Sequence, residues 1–192
     1  MLRLILASAS PRRAELLASA GFAFDVAPAH VDETPEPGEA SNVYALRVAT
    51  EKARVTAAEQ WVAGSVVLAA DTVVVRDGQI LGKPRDGADA ERMLRLLSDG
   101  FHEVHTAVVV LSGPHEQSEV VTTRVHFVPL TTEEIDWYIR SGEPHGKAGA
   151  YAIQGLAARF VDLIEGSWSN VVGLPIATVY RLLTEVEKGY SR

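Results

Sequence analysis

Residues 1–17, MLRLILASASPRRAELL, combine a strand-sized apolar run, a turn of small residues and the start of a helix. The apolar run predicts a buried strand, and Pro11 suits the first position of a helix that Gly21 would end. A strand leading directly into a helix leaves unpaired backbone N–H groups at the helix N-terminus. Arg12 and Arg13 lie beside those groups. Cations at this end oppose the helix dipole, so a helix that needed only stability would carry Asp or Glu there. The pattern therefore favours an anion site for phosphates over a solvated first turn.

The composition is typical of a soluble globular protein, with 192 residues of which 47% are hydrophobic and 22% charged. This length supports one sizeable core, and we expect a single domain over residues 1–192. No apolar stretch approaches the roughly 20 residues that cross a membrane, and the N-terminal run lacks the features of a secretion signal. Cysteine is absent, which excludes disulfides, thiolate metal ligands and a cysteine nucleophile. We therefore expect a cytoplasmic protein without a membrane partner.

The charge balance limits the kind of partner. A formal net charge of −7 and a pI near 5.4 argue against a nucleic-acid binder, because binding to a phosphate backbone depends on a basic face. An RNA-binding module of α/β form is also disfavoured, since the chain lacks a basic face interleaved with aromatic residues. A local basic site on an acidic protein suits a small polyanion instead.

Strand and helix patterns alternate along the chain, which predicts the α/β class with a mixed sheet. The predicted strands cover residues 2–7, 24–27, 66–70, 73–75, 79–81, 105–111, 119–128 and 160–164, and residues 150–153 are strand-like. The predicted helices begin near Pro11, Ser41, Asp86, Thr131 and Pro175. Asp86 suits an N-cap, and Thr131 with Glu134 a capping box. The second helix is predicted to bury Leu46, Ala49, Ala53 and Ala57.

Four predicted loops place polar groups after an apolar strand or within a glycine-rich bend. They contain residues 8–13, Asp71 with Thr72, Gly82-Lys83-Pro84, and residues 142–155 with Lys147 and Gln154. Ligands of open α/β sheets gather at strand ends, so these loops are candidates for one common site. Each also has a simpler interpretation: a turn residue for Asp71, a solvated lysine for Lys83, and a surface bend for the four glycines of 142–155.

Acidic residues add a candidate metal site. Asp71 and Glu33 could offer carboxylate oxygens to Mg²⁺ or Mn²⁺, which also bind substrate phosphates. Taken alone, Glu33 lies in an acidic loop, VDETPEPGE, of a kind that is usually just solvated.

Five motifs carry a family resemblance. They are SASPRRAELL at 8–17, AADTVV at 69–74, LGKPRD at 81–86, HEVHTAV at 102–108 and GKAGAYAIQG at 146–155. In this order and spacing they resemble the Maf family of nucleoside triphosphate pyrophosphatases. The resemblance implies an α/β fold with a long mixed sheet flanked by helices, two lobes around a deep cleft, and a homodimer.

The resemblance also implies roles for individual residues. Asp71 matches the catalytic acid or base, and Glu33 the metal-associated acid. The residues that match phosphate-binding or substrate-binding positions are Ser8, Arg13, Lys52 and Lys83. The family branch acting on dTTP and UTP is marked by three further residues, which here are Arg12, Thr72 and Gln154.

The implied reaction is hydrolysis of the bond between the α- and β-phosphates, assisted by Mg²⁺, Mn²⁺ or Co²⁺. A nucleotide-binding regulator of cell division, linked to septum formation, is the alternative. Such a regulator needs the phosphate site but neither a base nor a metal-binding acid, so Asp71 and Glu33 favour the enzyme. The order of preference among dTTP, UTP and modified pyrimidine nucleotides such as 5-methyl-UTP stays open, as does the choice of metal.

Overall fold

A computed structural model describes residues 3–60, 62 and 64–190. Leu2, the first residue of the first predicted strand, lies outside this range. The chain divides into two compact units. The first contains Met1–Asp71, Thr106–Val121 and Gly173–Arg192, and the second contains Thr72–His105 and Thr122–Val172. Among the described residues, no helix is both long and apolar enough to cross a bilayer.

Seven strands form one mixed sheet, which confirms the predicted α/β class. The strands are β1 (Arg3–Leu6), β2 (Phe24–Val26), β3 (Ser65–Arg76), β4 (Gln79–Leu81), β5 (Gly100–Ser112), β6 (His115–Phe127) and β7 (Val161–Glu165). Their order is β2-β1-β3-β5-β6-β7, and β4 pairs with β3. β1 is parallel to β2 and β3, whereas β4 and β7 are antiparallel to β3 and β6.

Five of the described helices begin within one residue of a predicted start, whereas the short helix Trp168–Val172 was not predicted. The described helices are α1 (Pro11–Ser19), α2 (Ser41–Gln60), α3 (Gly87–Leu97), α4 (Thr132–Arg140), α5 (Trp168–Val172) and α6 (Ile176–Tyr190), with 3-10 turns at Ala148–Ala150 and Leu156–Phe160. The Asp86 carboxylate accepts the Asp89 N–H at the start of α3. Thr131 and Glu134 form both bonds of the predicted capping box at α4.

The core of the first unit lies between α1, α6 and the parallel strands. The buried residues that form it are Leu4, Leu6, Leu17, Val66, Leu68, Ala70, Val108, Val110, Leu174, Val179, Leu182 and Val186. Parallel strands are covered on both faces, which explains why β1 and the first half of β3 are almost continuously apolar. Burying each leucine side chain contributes roughly 1.5–3 kcal/mol.

The second unit has an aromatic core. The Phe127 ring packs edge-on against His102 and Tyr151, with centroids 5.0 and 4.9 Å away, and Tyr138 packs against Phe160 at 5.4 Å. The His102 Nε2 and Tyr151 hydroxyl are 2.8 Å apart. Burial lowers the pKa of His102 to about 3, so the imidazole is neutral at physiological pH.

The predicted boundary at Asp71 is wrong, because β3 is a single strand of 12 residues. Asp71 and Thr72 therefore lie inside a strand rather than in a loop. Only Thr72 and Arg76 of β3 are half-buried and its other residues are buried, so hydrophobic burial continues on both sides of Asp71. The Asp71 carboxylate does not interrupt the strand, because Lys52 Nζ pairs with it at 2.7 Å.

Two further predictions are corrected. Residues 150–153 are not a strand, since Gly149 and Ala150 have φ angles of 65° and 59°, which place the backbone in the left-handed region. The buried face of α2 consists of Tyr44, Ala45, Val48, Ala49, Lys52, Ala53 and Thr56. Leu46 and Ala57 are only half-buried, because both lie beyond the edge of that face.

Replacing Thr131 tests the local origin of α4. Thr131→Ala removes the capping hydroxyl and should lower the free energy of unfolding by about 1 kcal/mol, measured by denaturant unfolding. Thr131→Ser keeps the hydroxyl and should lose clearly less. Equal stability of Thr131→Ala and the wild type would contradict a contribution from this cap.

Candidate functional site

A buried lysine bridges two carboxylates in the first unit. Lys52 Nζ lies 2.6 Å from Glu33 Oε1 and 2.7 Å from Asp71 Oδ1. The exposed fractions of the Lys52 and Asp71 side chains are 9% and 10%, compared with 40% for Glu33. We call these three residues the Lys52 cluster. It brings together three candidate residues from a loop, a helix and a strand.

The small residues of α2 explain how a lysine reaches this position. Ala49 and Ala53 lie on the same buried helix face as Lys52 and are fully buried. Because neither has a bulky side chain, the helix can pack closely while the lysine stem extends past them. A buried ammonium is costly unless it is paired, and here two carboxylates share it. Asp71 and Glu33 are thus held at one point.

Arg13 is fixed beside this cluster. Its Nε donates to the Gly173 carbonyl at 2.8 Å, and its Nη1 donates to Ser8 Oγ at 3.2 Å. Ser8 Oγ also accepts the Ser10 N–H at 3.2 Å. Burial lowers the pKa of Arg13, and the negative charges of Asp71 and Glu33 partly offset that shift. The electrostatic coupling places Arg13 in the same neighbourhood as the two carboxylates.

The N-terminus of α1 retains the features expected of an anion site. Ser10 occupies the N-cap position but makes no side-chain capping bond, and Pro11 begins the helix. Arg12 is half-buried in the first turn, and burial lowers its pKa while the nearby Glu15 opposes the shift. Two guanidinium groups and the first N–H groups of α1 thus belong to one end of the helix.

Tyr44 is a residue of this site that the sequence analysis missed. Its hydroxyl donates to the Glu33 carbonyl oxygen at 2.8 Å. Burial raises the pKa of Tyr44 to about 12, and the charges of Asp71 and Glu33 add to the shift. Tyr44 and Lys52 share the buried face of α2, and their spacing of eight residues, two successive steps of four, was the available signal.

The acidic loop before α2 is attached to that helix at a second point. The Arg47 guanidinium makes two bonds of 2.8 Å to the carboxylate oxygens of Glu39 and a bond of 3.1 Å to the Thr34 carbonyl. Arg47 also lowers the pKa of Glu39 to about 2. The loop is therefore folded against α2 rather than freely solvated, which favours a specific role for Glu33.

The donor chemistry of the Lys52 cluster fits a hard divalent cation. Glu33 and Asp71 already converge on one positive group, and carboxylate oxygens are the ligands that Mg²⁺ and Mn²⁺ prefer. Within the part of the chain that the structure describes, no group of three or more His, Cys, Asp or Glu residues could hold a metal. Two carboxylates completed by substrate phosphates are a usual set for Mg²⁺. Glu33 and Asp71 thus fit a metal whose remaining ligands come from bound phosphates or water.

The second unit contains Thr72, Lys83 and Gln154. Thr72 is half-buried within β3, whereas Lys83 and Gln154 are exposed on loops. The loop of Lys83 is tied to the glycine-rich segment, because the Gly149 N–H donates to the Gly82 carbonyl at 3.1 Å. A Cβ at position 149 would press on Val74, so glycine is required there for space as well as for its positive φ.

The structure thus places the predicted residues in two groups. The first unit brings together Ser8, Arg12, Arg13, Glu33, Lys52 and Asp71, and the second holds Thr72, Lys83 and Gln154. Lys147 also lies in the second unit, where its ammonium donates to the carbonyls of Glu143 and His145.

Removing the shared cation tests the electrostatics of the Lys52 cluster. Lys52→Met should lower the free energy of unfolding by about 3 kcal/mol, because it leaves two carboxylates together without a counter-ion. Adding Asp71→Asn should recover part of the loss. Lys83→Met changes an exposed lysine and should stay within about 0.5 kcal/mol of the wild type. Denaturant unfolding of all four proteins measures this, and a Lys52→Met variant as stable as Lys83→Met would contradict the pairing.

Comparison with known proteins identifies the family of this chain. The family model described as Maf-like protein matches residues 3–186. A protein of Anaeromyxobacter sp. (strain Fw109-5), named dTTP/UTP pyrophosphatase, is 54% identical over 186 residues, which cover 94% of this chain and 88% of the relative. Proteins of the same name from Myxococcus xanthus and Vibrio vulnificus (strain YJ016) are 52% and 51% identical, covering 94% and 96% of this chain and 90% and 99% of the relatives.

Among solved structures, protein VC0702 from Vibrio cholerae aligns with 74% of this chain and 72% of its own, with a TM-score of 0.37 and 13% identity. That likeness is too weak to inform on the fold. The family model and the relatives are decisive, since both extend over nearly the whole chain. This chain belongs to the Maf family.

Proposed function

We propose that this protein hydrolyses dTTP and UTP to the nucleoside monophosphate and pyrophosphate. The observation that carries the proposal is the Lys52 cluster, in which a carboxylate from the middle of a strand is held by a buried ammonium and is coupled electrostatically to the buried Arg13. The substrate assignment is supported by the relatives that share more than half of their residues with this chain and are named dTTP/UTP pyrophosphatase.

The positive groups are the proposed triphosphate site. Arg12 and Arg13 flank the N-terminus of α1, and Lys52 binds the two carboxylates whose charges act on Arg13. As the bond between the α- and β-phosphates breaks, its electron pair stays on the bridging oxygen, where negative charge develops. Fixed cations that stabilise this charge supply the electrostatic effect that dominates phosphoryl transfer. Arg13 is especially well fixed, since Ser8 and the Gly173 carbonyl hold its guanidinium.

Asp71 is the proposed general base. Lys52 binds its Oδ1, which fixes the orientation of the carboxylate, and Oδ2 is the oxygen that we propose as the proton acceptor. A water molecule attacks phosphorus and transfers its proton to Asp71, while the pyrophosphate linkage to the α-phosphate breaks. Glu33 shares the ammonium and so leaves Asp71 less than fully neutralised.

Glu33 and Asp71 are the proposed ligands of the divalent metal, Mg²⁺, Mn²⁺ or Co²⁺. When bound, such an ion neutralises phosphate charge and orients the triphosphate. The oxygen ligands of the Lys52 cluster support this assignment.

Lys83 is proposed to bind phosphate, and Thr72 and Gln154 to recognise the pyrimidine. Hydrogen bonds to a base edge discriminate strongly, because the wrong base leaves a polar group unpaired. The exposed amide of Gln154 on a folded loop supports this role.

Several expectations stay predictions. They are the homodimer, the cytoplasmic location, the absence of nucleic-acid and membrane partners, the cleft between lobes, the single domain and the link to cell division.

The regulator without catalysis differs from the enzyme in one measurable respect. Purified protein is first treated with a chelator and is then incubated with dTTP and each metal in turn. The pyrophosphate released in each incubation is measured. Release of pyrophosphate with dTMP supports the enzyme, and binding of dTTP without release supports the regulator.

Asp71→Asn tests the proposed base. The amide keeps the shape and can still accept a bond from Lys52, but it cannot take a proton from water. We expect kcat for dTTP to fall by at least about 100-fold, while the melting temperature shows that the protein is folded. Asp136→Asn, on the exposed face of α4, is the matched control and should retain activity. Near-normal turnover by Asp71→Asn would rule out Asp71 as the base.

Gln154→Ala tests base recognition. Losing one discriminating hydrogen bond should reduce the ratio of kcat/KM for dTTP to that for dATP about five- to tenfold. Gln79→Ala, which removes an exposed glutamine from β4, should leave the ratio unchanged. A ratio in Gln154→Ala equal to that of the wild type would assign recognition to other residues.

A further inference from the structure

A third carboxylate, Glu143, is bonded into the loop that carries Gln154. Its Oε2 accepts the Leu156 N–H at 3.0 Å, and its Oε1 accepts the Ala157 N–H at 3.2 Å. These are the first two N–H groups of the 3-10 turn Leu156–Phe160, which begins directly after Gln154 and Gly155. The carboxylate therefore anchors the backbone on the C-terminal side of Gln154.

Tyr138 anchors the other side. This residue of α4 is buried, and its hydroxyl donates to Glu143 Oε1 at 2.8 Å while accepting the Ala152 N–H at 3.2 Å. Burial and the neighbouring carboxylate both raise the pKa of Tyr138, so its hydroxyl remains a donor. Ala152, Leu156 and Ala157 are thus bonded to one pair of side chains.

Gly155 shows how closely Glu143 approaches the backbone. A Cβ built at this position would overlap the Glu143 carboxylate. Gly155 has a φ of −110° and a ψ of −145°, so glycine is not required here for a positive φ. It is required because the carboxylate lies directly against the chain next to Gln154.

The arrangement restrains the backbone from which Gln154 projects, although the Gln154 side chain itself is exposed. A mobile loop would lose conformational freedom on binding, and a loop that is already restrained loses less. We propose that Glu143, together with Tyr138, is a positioning residue that holds the 152–157 backbone so that Gln154 meets the nucleotide base. This inference rests on the proposed function of Gln154 in base recognition.

Glu143→Gln provides the test. Three donors face the two carboxylate oxygens, and an amide turns one of those oxygens into a donor, so at least one bond is lost. We expect the ratio of kcat/KM for dTTP to that for dATP to fall about fivefold. The loss should appear in KM for dTTP, with kcat changed less than about twofold, because base contacts contribute to binding before and during reaction.

A double-mutant cycle separates positioning from general damage. In the Gln154→Ala background, Glu143→Gln should change the dTTP-to-dATP ratio less than about twofold, because the side chain that it positions is absent. An equal drop in both backgrounds, or no drop in either, would overturn the proposal. If Glu143→Gln does not fold, Tyr138→Phe removes the other anchor, and the same ratio is measured for Tyr138→Phe with and without Gln154→Ala.

Matched controls are Glu133→Gln and Tyr180→Phe, which change exposed residues and should leave the ratio unchanged.

Amide hydrogen exchange distinguishes failure of this inference from failure of the proposed function. Faster exchange at Leu156 and Ala157 in Glu143→Gln supports the anchor even if the wild type releases no pyrophosphate, a result that would refute the proposed function alone. Unchanged exchange at both amides would overturn the anchor whether or not the wild type is active.

Discussion

The attraction between the Lys52 ammonium and two carboxylates is the constraint on which the site depends. Lys52 Nζ binds Asp71 and Glu33 at nearly equal distances. Without this cation, a carboxylate in the interior of β3 would carry an uncompensated desolvation cost. With it, the strand continues through Asp71, α2 turns a charged residue toward the core, and the acidic loop is drawn onto the helix.

Stability alone does not account for this cluster. Apolar residues of similar volume often replace a buried ion pair at no cost in stability, and an open strand end would accommodate an aspartate more easily. Here two carboxylates share one ammonium. Arg13, whose hydrogen-bond partners Ser8 and Gly173 are neutral, is coupled electrostatically to both carboxylates. Charges fixed before the substrate arrives are those that stabilise a transition state most effectively, because they need no reorganisation during the reaction.

Features that depend on near neighbours could be predicted from the sequence. Pro11, the Asp86 cap and the Thr131 capping box interact within three or four residues, and their predictions are confirmed. The predicted strand end at Asp71 is wrong because the counter-ion that lets the strand continue is 19 residues away on another element. The Arg13 bond to Gly173 spans 160 residues and no local pattern reveals it. The buried face of α2 was misassigned for a related reason, since counting apolar residues passes over Lys52 and Thr56.

A crystal structure of the Asp71→Asn variant with dTTP and Mg²⁺ would locate the triphosphate. We expect phosphate oxygens within hydrogen-bond distance of Arg12 or Arg13 and of Lys52, and Glu33 as a ligand of the metal. A triphosphate bound elsewhere, with no phosphate contact to these cations, would contradict the proposed triphosphate site.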